Sequence, residues 1–384
     1  MNRRRFLQSA AVGAACFSGW ARAATRDAPP RLLVLFELRG GNDGLNTLVP
    51  VHDGRYRDLR PRLALAESDL VALAPNLHLH GSLAPWLPLW NTSEMAVLQG
   101  VGYPQSDLSH FRSIEIWDTA SASSEIVQTG WLTRVAENAA AFRRCAADGV
   151  ILGAADLGPF TGGGRAIALS DVRRFTAMAR LALTSTAPAQ GALAHLLRVE
   201  NEIVRAGTEL GPVPAFSTEF PRTPLGQAVQ QAAALGSSRR VPVIRVTLSG
   251  FDTHQNQLGV QANLLRQLAE GIVALRGALV EAGVWDDTLL LTYSEFGRRP
   301  RENGSGGTDH GTANVHFAFG RSIRGGVYGE PPPLDRLDAN GNLQHTLDFR
   351  SIYAAIIADW WGLDASRALR GRFNPVRFID ARHA

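Results

Sequence analysis

Along this chain, apolar runs bounded by turn residues alternate with segments whose apolar positions recur at helical spacing. Arg31–Leu38 is a short apolar run that opens onto Arg39-Gly40-Gly41-Asn42-Asp43-Gly44, and it predicts a strand entering a glycine-rich turn. Glu94–Gln99, Gly149–Leu152 and Asn314–Phe319 predict further strands. Val241–Leu248 and Thr288–Tyr293 are stronger, being β-branched or leucine-rich runs between turn signals. Helical spacing covers Trp131–Phe142, Asp171–Leu183, Gly191–Gly207, Pro224–Leu235, Gln257–Ala282 and Asp348–Trp361. Strands alternating with helices predict an α/β fold of three layers, with a central, mostly parallel sheet and helices on both faces. Ligands of such sheets sit beyond the carboxyl ends of the strands, so chemistry is expected just after each strand. Trp86, Trp90 and the pair Trp360-Trp361 read as core packing, and Pro331-Pro332-Pro333 through Asn342 reads as a surface loop.

The first 23 residues follow a different pattern. Met1-Asn2-Arg3-Arg4-Arg5-Phe6-Leu7 is a basic start, followed by an apolar run through Trp20 and then Ala21-Arg22-Ala23. These are the three parts of a cleaved secretory signal, and Arg3-Arg4 with Phe6-Leu7 matches its twin-arginine variant. A lipoprotein-type cut before Cys16 is the alternative to the preferred site after Ala23. The chain is therefore expected to be a signal over 1–23 and one α/β domain over 24–384, periplasmic or secreted, with the twin-arginine export machinery as a partner. The apolar run is too short to span a membrane, and no later stretch is long enough.

Composition changes the picture in two ways. All 39 basic residues are arginine, which excludes a Walker lysine, a pyridoxal Schiff base and a lysine nucleophile. The formal charge of +4 invites a nucleic-acid reading. Removal of the signal's four arginines from the 39 leaves 35 basic against 35 acidic residues, so the mature charge is zero and that reading fails. Cys16 leaves with the signal. Cys145 then stands alone, without an intrachain disulfide.

Four predicted strand ends or nearby turns carry metal-competent side chains. They are Arg39–Asn46 with Asp43, Ser249–Gln255 with Asp252 and His254, Ser294–Arg298 with Glu295, and Gly306–Gly311 with Asp309 and His310. Carboxylates and imidazoles hold Zn²⁺, Mn²⁺ or Mg²⁺, and an extended Asp252-x-His254 points both side chains to one side. His78-Leu79-His80 would put two imidazoles on one strand face, but a loop is the preferred reading there. No G-x-S-x-G, C-x-x-C or H-E-x-x-H pattern occurs. Thr161-Gly162-Gly163-Gly164-Arg165 is a flexible loop with weak anion-binding character.

Five ordered motifs carry a family resemblance: Glu37–Asn46, Ser109-His110-Phe111-Arg112-Ser113, Phe251-Asp252-Thr253-His254, Ser294-Glu295-Phe296-Gly297-Arg298 and Thr308-Asp309-His310-Gly311. Together they resemble a bacterial exported family catalogued as domain of unknown function 1501, which is grouped with the alkaline phosphatase and sulfatase superfamily. The resemblance covers nearly the whole mature chain. It implies an alkaline-phosphatase-like fold, a bimetal centre on the C-terminal edge of the sheet, and hydrolysis of phosphate or sulfate esters or phosphoryl transfer.

The resemblance also implies roles. Asp43 matches the Asp after the first strand, and Ser109 the nucleophile at a helix start, beside His110, with Ser106 as second choice. Asp252 and His254 match the next ligand pair. The remaining slots align in two ways. In the preferred one, Ser294-Glu295-Phe296 takes the strand-end Asp-His slot, so Glu295 replaces Asp, Phe296 cannot bind metal, and Asp309 and His310 supply the last ligand. In the other, Asp309-His310 is the Asp-His pair and His316 or His345 comes last. The expected metal set is Asp43, Asp252, His254, Glu295, Asp309 and His310, holding one or two divalent ions (Zn, Mn, Mg or Ca), with Arg39 or Arg298 as an oxyanion clamp. Two functions compete: a metal-dependent hydrolase of a small anionic ester, or a non-catalytic envelope protein with a degenerate metal centre and an unknown envelope partner.

Overall fold

The computed structural model describes residues 29–182, 190–211 and 214–380. The expected export signal over 1–23 and Cys16 lie outside the described residues. The strands in chain order are β1 (Leu32–Arg39), β2 (Leu48–Val49), β3 (Leu70–Ala74), β4 (Leu77–His80), β5 (Met95–Gly102), β6 (Gly149–Leu152) and β7 (Ala166–Leu169). They continue as β8 (Val243–Ser249), β9 (Thr288–Tyr293), β10 (Gly297–Arg298), β11 (His310–Gly311), β12 (Asn314–Phe319), β13 (Gly326–Tyr328) and β14 (Leu347–Asp348).

Among the described residues, nine strands form the central sheet in the order β13-β5-β12-β9-β1-β8-β6-β7, with β14 also pairing β5. Only β12 runs against its neighbours, antiparallel to both β5 and β9. The sheet is thus mostly parallel, as expected. Its centre is β1, hydrogen-bonded to β8 from Leu33 to Arg39 and to β9 from Leu32 to Glu37. A strand covered on both faces needs apolar residues on both, which is why β1 reads as a continuous run and not as an alternation.

Leu32, Val34, Phe36 and Leu38 enter one core with the helices Pro224–Ser237 and Gln257–Glu281. Leu33 and Leu35 enter the opposite core with His110–Thr119, Trp131–Asn138 and Phe349–Ala355. Burying each such Leu or Phe contributes roughly 1.5–3 kcal/mol, so the two cores fix the layers. The three layers follow directly.

Several elements end where the local pattern predicts, among them β6, β9 and β12. Others differ for visible reasons. The helix expected over Trp131–Phe142 stops at Asn138, and Phe142–Arg144 is a separate 3-10 turn. The one expected over Asp348–Trp361 changes to a π turn over Ile356–Trp360. The larger correction concerns His78-Leu79-His80, which is not a loop. It lies in β4, the middle strand of a three-stranded sheet β2-β4-β3, with His78 paired to Val49 on one side and Ala72 on the other. Trp86 and Trp360 are core residues, and Cys145 is a buried free thiol. No helix among the described residues is long and apolar enough to cross a membrane.

Candidate metal centre

The parallel strands β1, β8 and β9 end level with one another, since Arg39 pairs with Ser249 and Glu37 with Tyr293. Their following loops therefore meet. Glycine makes the close approach possible. Gly40 has φ +119° and a Cβ there would lie 2.4 Å from the Asp252 nitrogen; Gly41 has φ +80° and its Cβ would lie 2.3 Å from the Phe296 ring. The helix His110–Thr119 begins over the same edge, with Ser109 as its N-cap residue. The short ribbon of β10 and β11 pairs Arg298 with His310 and brings that histidine back to the edge.

Four side chains converge there. The Asp252 carboxylate receives His254 Nε2 at 3.0 Å and His310 Nε2 at 3.1 Å on Oδ1, and His110 Nε2 at 3.5 Å on Oδ2. His254 Nε2 and His310 Nε2 are 3.0 Å apart, a separation at which two ring nitrogens share one proton or one cation. Each ring is held from behind through Nδ1. His110 meets Glu295 Oε1 at 2.9 Å, His254 meets Asp309 Oδ1 at 3.3 Å, and His310 meets the Leu108 carbonyl at 2.8 Å. Metal-ligating histidines have this arrangement, with the second nitrogen on a carboxylate or carbonyl. His110, Asp252 and His310 form a group whose donor atoms all lie within 4.8 Å of one another, a spacing suited to a metal ion.

The charges are set by neighbours. Burial pushes the Asp252 carboxyl up, but the Arg298 guanidinium and the rings of His310 and His254 outweigh it and hold the group down at about 2. The hydrogen bond to Glu295 raises the His110 imidazole above its ordinary value. Burial, reinforced by the Arg298 charge, lowers His310 despite its hydrogen bond to Leu108. Burial raises Asp309, and its bonds from Asn303 and His254 more than reverse that.

The expected ligands thus fall into three positions. Asp252, His254 and His310 face one another, and His110, assigned to catalysis from its motif, joins them. Glu295 and Asp309 stand behind His110 and His254. Glu295 Oε1 also accepts from the Gly40 N–H at 2.8 Å, and Ser113 donates to the Glu295 carbonyl at 2.6 Å. Asp43 stands apart. It is buried, and its oxygens receive Arg60 at 2.5 and 2.9 Å, the Leu45 N–H at 3.2 Å and the Gln257 amide.

The two expected arginines are equally committed. Arg298 is fully buried and donates to Asp252, to Gly41 O at 2.7 Å, to Phe251 O and Thr308 O at 2.9 Å, and to Gly40 O. Arg39 bonds Glu37 at 2.9 Å and Asp156 at 2.8 Å. Burial opposes its charge, yet these two carboxylates raise its pKa. Ser109 is exposed and its hydroxyl makes no capping bond, while Ser106 donates to the Tyr103 carbonyl at 2.8 Å. Phe296 packs its ring 4.9 Å from His110 and 4.6 Å from His310. His316 lies inside the core against Trp117 at 5.4 Å, where burial lowers it to about 3, and His345 packs beside Gly102.

The sequence signal for His110 was the motif Ser109-His110-Phe111-Arg112-Ser113, and its place at the helix start puts the ring over the sheet edge. No comparable local signal marks Arg60, Gln257 or Asn303. Asn303 donates to His254 O at 2.9 Å and Asp309 Oδ1 at 3.3 Å, tying the two loops.

The architecture is similar to that of several solved structures. An alkaline phosphatase superfamily protein from Vibrio parahaemolyticus is 12% identical at a TM-score of 0.43, covering 90% of this chain and 69% of that one. A putative sulfatase from Bacteroides thetaiotaomicron is 11% identical at 0.41, covering 91% and 76%. The C-terminal periplasmic domain of EptC from Escherichia coli, in complex with Zn, is 10% identical at 0.39, covering 77% and 74%. No curated protein matches the sequence. A family model does match, over residues 93–372, which takes in four of the five ordered motifs and every residue of the histidine–aspartate cluster: the chain belongs to the family described as protein of unknown function (DUF1501).

Proposed function

We propose that this chain is an exported hydrolase of phosphate or sulfate esters that works with a divalent metal held by His110, Asp252 and His310, with His254 beside them on Asp252 and His310. The observation that carries the reading is the convergence of three imidazole Nε2 atoms on one carboxylate, each ring held from behind by an acceptor. Imidazole nitrogens with a carboxylate oxygen favour Zn²⁺ or a neighbouring transition ion over Mg²⁺ and Ca²⁺, which take oxygen sets. Such an ion, when bound, supplies Lewis-acid polarisation of an ester oxygen and a more acidic bound water.

The chain's own groups do the rest. Ser109 is the nucleophile in this reading, exposed at the start of a helix whose first N–H groups favour an anion. Its own backbone N–H donates to Asp107 Oδ1 at 2.7 Å, which fixes the cap. Glu295 orients His110 and keeps a proton on its Nδ1. Phe296, itself buried, packs its ring against His110 and His310. Delivery by the twin-arginine route and a small anionic ester as substrate belong to the same proposal.

Protein purified from the periplasm is expected to carry at least one metal per chain and to turn over an aryl phosphate or an aryl sulfate. Elemental analysis and assays with added Zn²⁺, Mn²⁺ or Ca²⁺ check this. Absence of stoichiometric metal together with absence of turnover sinks it. Metal without turnover supports the second reading, a non-catalytic envelope protein. That reading is favoured by Phe296 in a ligand slot and by Asp43 being held by Arg60.

Zn²⁺ affinity is expected to rise with pH through the imidazole range, because the ligating rings must lose their protons. The raised His110 is protonated to a higher pH than an ordinary imidazole and so sets the upper end of that rise. Asp252, at about 2, is ionised throughout and adds no step. Calorimetric titration at several pH values gives the slope, and affinity that is flat from pH 5 to 8 contradicts a histidine site.

A further inference from the structure

A second group of donors lies away from the sheet edge, on the small sheet β2-β4-β3. His78 is in its middle strand, His52 is in the turn after β2, and Glu67 opens the 3-10 turn before β3. The three offer donor atoms within 4.8 Å of one another. The rings of His52 and His78 are 5.2 Å apart at 82°. His78 is only 7% exposed, and its Nδ1 is buried without a hydrogen-bond partner. His80, on the same strand face, is differently employed, its Nδ1 accepting the Ser82 N–H at 3.0 Å.

A buried polar atom left unpaired costs about 1–3 kcal/mol, and coordination of a cation at the His78 Nδ1 would remove that cost. Two imidazoles and one carboxylate are the protein ligands of an open transition-metal site, in which a further position is left to an outside group. The two imidazoles also line a cavity of about 530 Å³, whose other walls include Leu48, Leu77, Pro332 and Leu334. The outside group would therefore come from that cavity. Metal–donor distances of about 2.0–2.2 Å require donors roughly 3.3 Å apart. His52 and Glu67 are exposed, and their side chains supply the adjustment.

We infer that His52, Glu67 and His78 form a second transition-metal site, with Zn²⁺ or a chemically similar ion at the wall of the cavity and one coordination position open towards it. The inference is independent of the hydrolase reading, since it shares no residue with the sheet-edge cluster.

The probe is Zn²⁺ alone, titrated calorimetrically into the full exported protein in the wild-type and Asp252→Ala backgrounds. The Asp252→Ala protein is expected to keep one Zn²⁺ site. Adding His52→Ala or Glu67→Gln, both at exposed positions, should weaken that site at least about tenfold. Co²⁺ binding to the otherwise unaltered protein gives a second measurement. The His52→Ala change should remove the visible absorption of one four-coordinate Co²⁺. Unchanged Zn²⁺ stoichiometry and affinity with both changes, together with an unaltered Co²⁺ spectrum in His52→Ala, overturns the site.

Discussion

Asp252→Ala is expected to cost the sheet-edge cluster its metal, with a loss of Zn²⁺ affinity beyond the roughly 10–100-fold that follows removal of a group behind a ligand. Three ring nitrogens meet on this one carboxylate, so its removal leaves them with no common partner. It also takes from the buried Arg298 the carboxylate it pairs with at 2.7 Å, leaving that cation on backbone carbonyls alone. Glu295→Gln is the graded comparison. It keeps the shape behind His110 but replaces a charged acceptor, and it should weaken metal by roughly 10–100-fold without abolishing it. Calorimetric titration of both proteins gives the order. Wild-type Zn²⁺ affinity in Asp252→Ala at this cluster, with the cavity-wall site separately removed, rules the assignment out.

What the sequence made legible divides by range of interaction. Strands such as Thr288–Tyr293 are local events, set by consecutive apolar residues, and Asp252, His254 and Glu295 lie just beyond such carboxyl ends. The direction in which each side chain points beyond a strand end is not local. Glu295 turns back to the Gly40 N–H, 255 residues away, and to His110 because β1 and β9 are neighbours, a pairing that no window of sequence contains. His310 reaches Asp252 only because the ribbon folds Gly311 onto Gly297. The short strand Leu77–His80 was hidden for a different reason. It has four residues, half of them histidine, and its β state depends on partners on both sides.

Arg60→Ala is expected to lower the unfolding free energy by about 3–5 kcal/mol, because it leaves the Asp43 carboxylate buried without its cation. Both side chains are wholly shielded from solvent. Arg60 also donates to Asn46 Oδ1 at 2.7 Å, Pro300 O at 2.8 Å and Arg299 O at 3.0 Å, so one guanidinium ties the turn after β1 to the loop before His310. On the other side Asp43 takes the Gln257 amide. Gln257 Oε1 in turn accepts from Thr308 at 2.6 Å and Thr253 at 3.1 Å. This network sets the spacing of the loops that carry His254 and His310. Asp43→Ala should cost a similar amount, and the double change should cost clearly less than the two together, as for any directly coupled pair. Chemical denaturation of the four proteins closes the cycle. The same proteins decide the role of Asp43, the residue whose position after the first strand suggested a ligand. If it is the buried anchor described here, Arg60→Ala and Asp43→Ala will move metal affinity together and leave the stoichiometry of folded protein unchanged. If it is a ligand, Asp43→Ala alone will lower the stoichiometry.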